Sequence, residues 1–315
     1  METSQLNRAL CDVTETQLSH LGRIANRVLA GRPLTLRGQH RRGKNSGRGT
    51  EFLDFRDYSP GDDLRFIDWR ASARCHQPLV RRFHDEAASH WTICLDISAS
   101  MSSRDKLNTN KWPLAIQLAA SFAYLVLQQE NKVGLLAFND QLHAICPPGR
   151  GRLQYGKIRQ QLHTLLPRHE GGNSKLQLCS KPIKRGSSLI IISDFLSPDA
   201  MQPDLDYLNT ITDSIHALHI ISPDECKLTP TSYQDSSQLK QHHLIRDVES
   251  GQQFHIHNES AEQVAEQRLH QHHNHLKNFC QAHGIHHTSC NTDQSWHQII
   301  SQHLQTFCQG TGRLR

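Results

Sequence analysis

The chain has 315 residues, 36% of them hydrophobic and 21% charged, with a formal net charge of +5. This length accommodates one large or two modest domains, and the mild basicity neither demands nor excludes an acidic or nucleic-acid partner. Nine cysteines at wide spacing, with no C-x-x-C pair, exclude a disulfide framework and a zinc ribbon and fit a reducing cytoplasm.

The first residues, "METSQLNRALCDVTETQLSH", lack the basic-then-apolar layout of a signal peptide. The longest apolar stretch, Pro113 to Leu127, is too short to span a bilayer. A cytoplasmic protein with no membrane span is therefore expected. Thr14 to Leu29 reads as an amphipathic helix, with Leu18, Leu21, Ile24 and Val28 at three- and four-residue steps. Thr14 and Gln17 fit a capping box, and Gly31 with Pro33 ends the helix. A basic arm, Arg37 to Arg48, follows and contains no acid.

Next comes "EFLDFRDYSPGDDLRFIDWRASAR". It interleaves Glu51, Asp54, Asp57, Asp62, Asp63 and Asp68 with Arg56, Arg65, Arg70 and Arg74. Three uses fit such a stretch: a catalytic acid cluster, a structural ion network, or a charged surface for a partner. Catalysis lacks a nucleophile or histidine base at a telling interval. Arginines forking onto carboxylates, a turn at "SPGDD" and apolar anchors at Phe52, Phe55, Phe66, Ile67 and Trp69 favour a network. The expectation is a long non-helical segment held in one shape, with that shape serving recognition.

From His90 onward, nearly all-apolar strands alternate with helices. Strands are expected at Trp91–Ser98, Lys132–Asn139, "LHAICP", Ser187–Phe195 and Ser214–Ser222, with helices at Pro113–Glu130, Arg152–Leu166 and near Pro198–Asn209. This pattern implies an α/β fold: a doubly wound, mostly parallel sheet covered on both faces. Two strands about a turn at Glu249–Gly251 form a hairpin insertion within about 240–258. A helix at Glu259–Ala282, a strand at Ile285–Cys290 and a helix at Asp293–Phe307 close the chain. Two parts are expected: 1–89, the N-terminal helix and charged segment packed on the main domain, and 90–315, the sheet domain.

Ligands of such sheets sit at the carboxyl ends of the strands. There the first strand is followed by "DISASM", with Asp96, Ser98 and Ser100 spaced D-x-S-x-S. Asp194 closes "LIIISDF", and Asn173 and Ser174 lie in "HEGGNSK". Hydroxyl and carboxylate oxygens converging from separate loops suit Mg²⁺ or Mn²⁺. The alternative is that these groups cap turns.

The motifs "DISAS", "EGGNS" and "ISDF" resemble the metal-ion-dependent adhesion site of von Willebrand factor A domains. The stretch from "EFLDFRDYSPGDDLRFIDWRASAR" through "LVRRFHDE" to "LDISASM" resembles the bacterial family called domain of unknown function 58, of the shorter soluble kind. That resemblance implies a fold of von Willebrand factor A type. It also implies a partner, a MoxR-type AAA+ ATPase, acting with this chain in assembly or maturation of a client protein. The A-domain site has a threonine in its second loop, where this chain has Asn173–Ser174.

Other features carry less. His270/His273 and His272/His275 have helical metal spacing, but 23 histidines run through the chain and point to compositional bias. No G-x-x-x-x-G-K-[ST] occurs, so this chain is not expected to hydrolyse ATP. The leading expectation is a non-enzymatic adaptor. A metal-dependent hydrolase and nucleic-acid binding through the basic arm 37–48 are the alternatives.

Overall fold

The computed structural model describes residues 13–29, 52–83, 89–102, 111–167, 174–197, 201–222, 243–246, 253–256 and 259–310. It divides into two compact units, Met1–Arg37 with Ser89–Arg315, and Gly38–Ala88.

In the larger unit, α1 spans Glu15–Leu29. Thr14 caps it reciprocally: its N–H donates to Gln17 Oε1 at 3.1 Å, and its Oγ1 accepts from Gln17 N–H at 3.4 Å. Leu18 and Leu21 are buried in the same core as Trp112, Phe122, Leu304 and Phe307. The helix therefore belongs to the sheet unit, so the expected division at residue 89 does not follow the chain's compact units. Gly31, Pro33 and the basic arm 37–48 lie outside the described residues.

The sheet contains β3 (His90–Asp96), β4 (Lys132–Phe138), β5 (Leu142–Gly149), β6 (Ser188–Ser193), β7 (Ser214–Ile221) and β10 (His286–Asn291). The remaining strands are β1 (Phe52–Asp57) and β2 (Leu79–Phe83) in the smaller unit, and the hairpin β8 (His243–Arg246) and β9 (Gln253–Ile256). The sheet order is β10-β7-β6-β3-β4-β5, parallel throughout except for the β4–β5 edge. All six residues of β6 and all but the first of β3 are buried, which explains why these strands read as unbroken apolar runs. The two prolines of β5, Pro147 and Pro148, sit on the edge strand, where a missing N–H is tolerated. A Cβ at Gly134 would lie 2.9 Å from the Cys146 carbonyl, so only glycine lets β4 approach β5 this closely.

Six helices of this unit are α1, α3 (Lys111–Gln128), α4 (Gly151–Thr164), α5 (Gln202–Ile211), α6 (Glu259–Ala282) and α7 (Trp296–Gly310). Two separate cores flank the sheet. One takes Leu18, Phe122, Ile158 and Leu304 from α1, α3, α4 and α7. The other takes Leu205, Leu208, Leu276 and Cys280 from α5 and α6. This is a doubly wound α/β sheet, parallel except at one edge. Its first and fourth strands, β3 and β6, are neighbours, so the strand order reverses between them. At such a switch point the two following loops diverge and leave a crevice at the carboxyl ends.

The smaller unit is built on β1 pairing antiparallel with β2. The intervening chain is not the non-helical segment expected from its charge. It forms a 3₁₀ turn at Leu64–Phe66 and a helix, α2, at Trp69–Cys75. The acids make local structure. Asp68 caps α2, accepting from Arg70 and Ala71 N–H groups at 3.0 Å each, and these bonds hold its carboxyl below the usual range. Asp63 takes a forked bond from Arg65, and Asp62 pairs with Arg56. Gly61, at φ 104°, occupies the position of the "SPGDD" turn that needs positive φ, and the turn closes through Asp62 N–H on the Ser59 carbonyl. Asp57 accepts from Gln77, whereas Arg70 and Arg74 are exposed. Glu51 lies outside the described residues.

Candidate functional site

β3 ends on Asp96 and runs into a 3₁₀ turn at Ala99–Ser102, while β6 ends on Ser193 and hands on to Asp194. Both loops thus open at the switch point. Asp96 is buried and accepts three hydrogen bonds. Ser98 N–H at 2.9 Å and Ser174 Oγ at 2.8 Å converge on Oδ1, and Ser193 Oγ donates to Oδ2 at 2.6 Å. Ser98 and Ser100 hydroxyls lie 3.0 Å apart. The structure brings Asp96, Ser98, Ser100, Ser174 and Asp194 together. Asn173 lies outside the described residues.

Burial, and secondly repulsion from Asp194, push the Asp96 carboxyl up to about 6, against the lowering effect of its bonds from Ser193 and Ser98. Two carboxylates close together in a buried crevice are electrostatically unfavourable without a cation. The structure supplies part of the answer: Lys111, the first residue of α3, places Nζ 2.8 Å from Asp194 Oδ2, with the lysine fully buried and the aspartate 2% exposed.

The turn after β6 is fixed from several sides. Phe195 is buried with φ 53°, a conformation that a bulky side chain rarely adopts. Its N–H donates to Ser193 Oγ at 2.9 Å, and its carbonyl accepts from His272 Nε2–H at 2.9 Å. Surrounding bonds hold the backbone in this form, and the turn in turn aims Asp194 into the crevice.

Sequence reasoning overlooked Lys111 and Ser193, and read His272 only as a helical partner of His275 rather than as the donor to the turn after β6. Ser193 stands inside the quoted "ISDF", so its signal was present. Lys111 sits in a polar run and looks like any surface lysine.

The histidines do not pair as helix spacing suggested. His272 and His273 are half-buried, whereas His270 and His275 are exposed. His273 instead packs edge-on against His219, at 4.7 Å between ring centres, and His219 also meets His287. Burial is the main cause holding all three rings neutral, with His273 and His287 lowered to about 4 and His219 well below its ordinary value. Among the described residues, no group of three or more His, Cys, Asp or Glu side chains is placed to hold a metal ion.

The oxygen set is a different matter. Three hydroxyls and two carboxylates are the hard donors that Mg²⁺ and Mn²⁺ prefer, and serines in place of acids leave coordination positions to water or a partner. Asp96 orients the Ser174 hydroxyl directly and the Ser98 backbone, while the Ser98 and Ser100 hydroxyls bond to each other. Hydroxyl and carboxylate oxygens of this kind fit a hard divalent cation.

Residues 54–270 match the family described as protein of unknown function DUF58. The uncharacterized protein Rv1480 of Mycobacterium tuberculosis (strain ATCC 25618 / H37Rv) is 30% identical over 167 residues, 52% of each chain. The chain therefore spans about half the length of the curated relatives it matches. Among solved structures, BatB from Bacteroides thetaiotaomicron aligns at 15% identity and a TM-score of 0.42, covering 70% of this chain and 100% of the other. The SpRpn10 VWA domain aligns at 17% identity and a TM-score of 0.32, covering 42% and 76%. Among the described residues, no helix is long and apolar enough to cross a membrane.

Proposed function

The chain belongs to the DUF58 family, and from that premise we propose that it is a non-enzymatic interaction module whose switch-point crevice recognises a partner through a bound divalent cation. One observation carries this reading: Asp96, Ser98, Ser100, Ser174 and Asp194 converge from three loops at the carboxyl ends of β3 and β6. In this reading Ser98, Ser100 and Ser174 hold Mg²⁺ or Mn²⁺ through their hydroxyls, with Asp96 and Asp194 balancing its charge. Such an ion supplies an open position that a partner's carboxylate completes.

The partner we propose, following the family resemblance, is a MoxR-type AAA+ ATPase, for which the chain acts as an adaptor in maturation of a client protein in the cytoplasm. The unpaired state of the described cysteines, including exposed Cys75, is in keeping with a reducing compartment. The test is affinity purification of the tagged chain from its host in Mg²⁺, in EDTA, and as the Asp96→Ala variant. An AAA+ ATPase retained only by the wild type in Mg²⁺ supports the proposal. Equal recovery in all three samples, or recovery of no ATPase, refutes it.

A further inference from the structure

The helix after β3 delivers a residue to the crevice that the D-x-S-x-S pattern does not contain. Lysine is compact in charge, strongly hydrated and almost never fully buried unless paired. Lys111 is fully buried, and its ammonium sits on Asp194. It also lies near enough to His219 and His273 to disfavour their protonation, and burial keeps both neutral, so these imidazoles add no charge of their own. Asp194 meanwhile repels Asp96. Asp194 therefore faces two claims: the ammonium that holds its Oδ2, and the cation position beside Asp96.

An ammonium there has two effects on a divalent ion. It occupies an oxygen of the second carboxylate, and it repels a like charge in a crevice where burial weakens screening. A loaded site that retains the ammonium adds its positive charge to that of the ion, which favours an acidic group from outside.

We propose that Lys111 is the affinity-setting residue of this site: its ammonium shares Asp194 with the divalent ion, keeping that ion weakly held and the loaded crevice electropositive toward a partner's carboxylate. The proposal rests on the cation reading above. It assigns to the chain a binding state that can be gained and lost with the free ion concentration.

The test is calorimetric titration of the full chain with Mg²⁺ and Mn²⁺, using wild type, Lys111→Met, Asp96→Ala and the Lys111→Met/Asp96→Ala pair. Lys111→Gln is included because it removes the charge while keeping a donor for Asp194, so a folding defect in Lys111→Met does not decide the matter. The shift of the thermal midpoint on adding ion gives a second readout of the same affinities. Removing the ammonium should tighten binding by roughly tenfold or more, as expected for deleting a nearby like charge, and Asp96→Ala should abolish the gain. Equal or weaker binding in both Lys111 variants, with Asp96-dependent binding intact in wild type, overturns this proposal and leaves the cation reading standing. Binding confined to the Lys111 variants upholds the role of Lys111 and removes the cation from the wild-type reading. No Asp96-dependent binding in any variant overturns both.

Discussion

Replacing Lys111 with methionine should be among the most destabilising single changes in the chain, and the structure sets its size. The substitution removes the ammonium 2.8 Å from Asp194 and leaves a carboxylate that is 2% exposed. Breaking one side of a buried ion pair costs about 3–5 kcal/mol. In a domain of this size the loss corresponds to a fall in thermal midpoint of roughly 6–20 °C. Asp194→Asn takes the carboxylate away from the fully buried Lys111 ammonium and should also destabilise the fold. The Lys111→Met/Asp194→Asn double variant should recover much of the loss, because neither charge is left alone. The assay is denaturant unfolding of all four proteins at pH 7, without divalent ions. Two small, additive losses of under about 1 kcal/mol each would refute the reasoning, because an exposed or water-bridged pair behaves that way.

Three further outcomes follow from the same geometry. The folded state raises the Asp96 carboxyl to about 6 from 3.8, so it binds this proton more readily than the unfolded chain does. Asp96 therefore opposes folding above pH 6 and ceases to do so as pH falls toward 4, and wild type should gain stability relative to Asp96→Asn across that window; a flat difference between the two unfolding curves contradicts this. In the smaller unit, Ser72 Oγ accepts the Leu79 N–H at 2.8 Å and donates to the Asp68 carbonyl at 2.7 Å. Ser72→Ala strands a buried donor, with an expected cost of about 1–3 kcal/mol and faster hydrogen exchange at Leu79. Gly134→Ala forces a methyl against the Cys146 carbonyl and should cost about 1–3 kcal/mol, measured by thermal unfolding, through splaying of β4 from β5.

The sheet was legible in the sequence because its central strands are buried on both faces. "TICLD" and "LIIIS" have no polar alternation to confuse with a surface strand. The first helix was legible through its cap, since Thr14 and Gln17 make the reciprocal bonds their spacing implies. The charged segment misled for an instructive reason. Asp68 was read as a member of an ion network, whereas its position before Trp69–Cys75 makes it a helix cap, a role set by neighbouring backbone rather than by charge. Lys111 was not legible at all. Its partner lies 83 residues away, and only the crossover from α3 through the sheet to β6 brings them together. Ser193 meets Asp96 across 97 residues for the same reason. Local pattern marks the loops that meet at the ends of β3 and β6, and only the tertiary structure shows that Lys111 pairs with Asp194.

The central claim is that the crevice at β3 and β6 holds a divalent cation on its serine hydroxyls. Anomalous diffraction from crystals of the full chain grown in Mn²⁺ tests it most directly. The account predicts a peak coordinated by Ser98 and Ser100, within reach of Ser174, and absent from Asp96→Ala crystals. Crystals grown in Mn²⁺ with no peak there, or with the ion bound only among the histidines of α6, would contradict it.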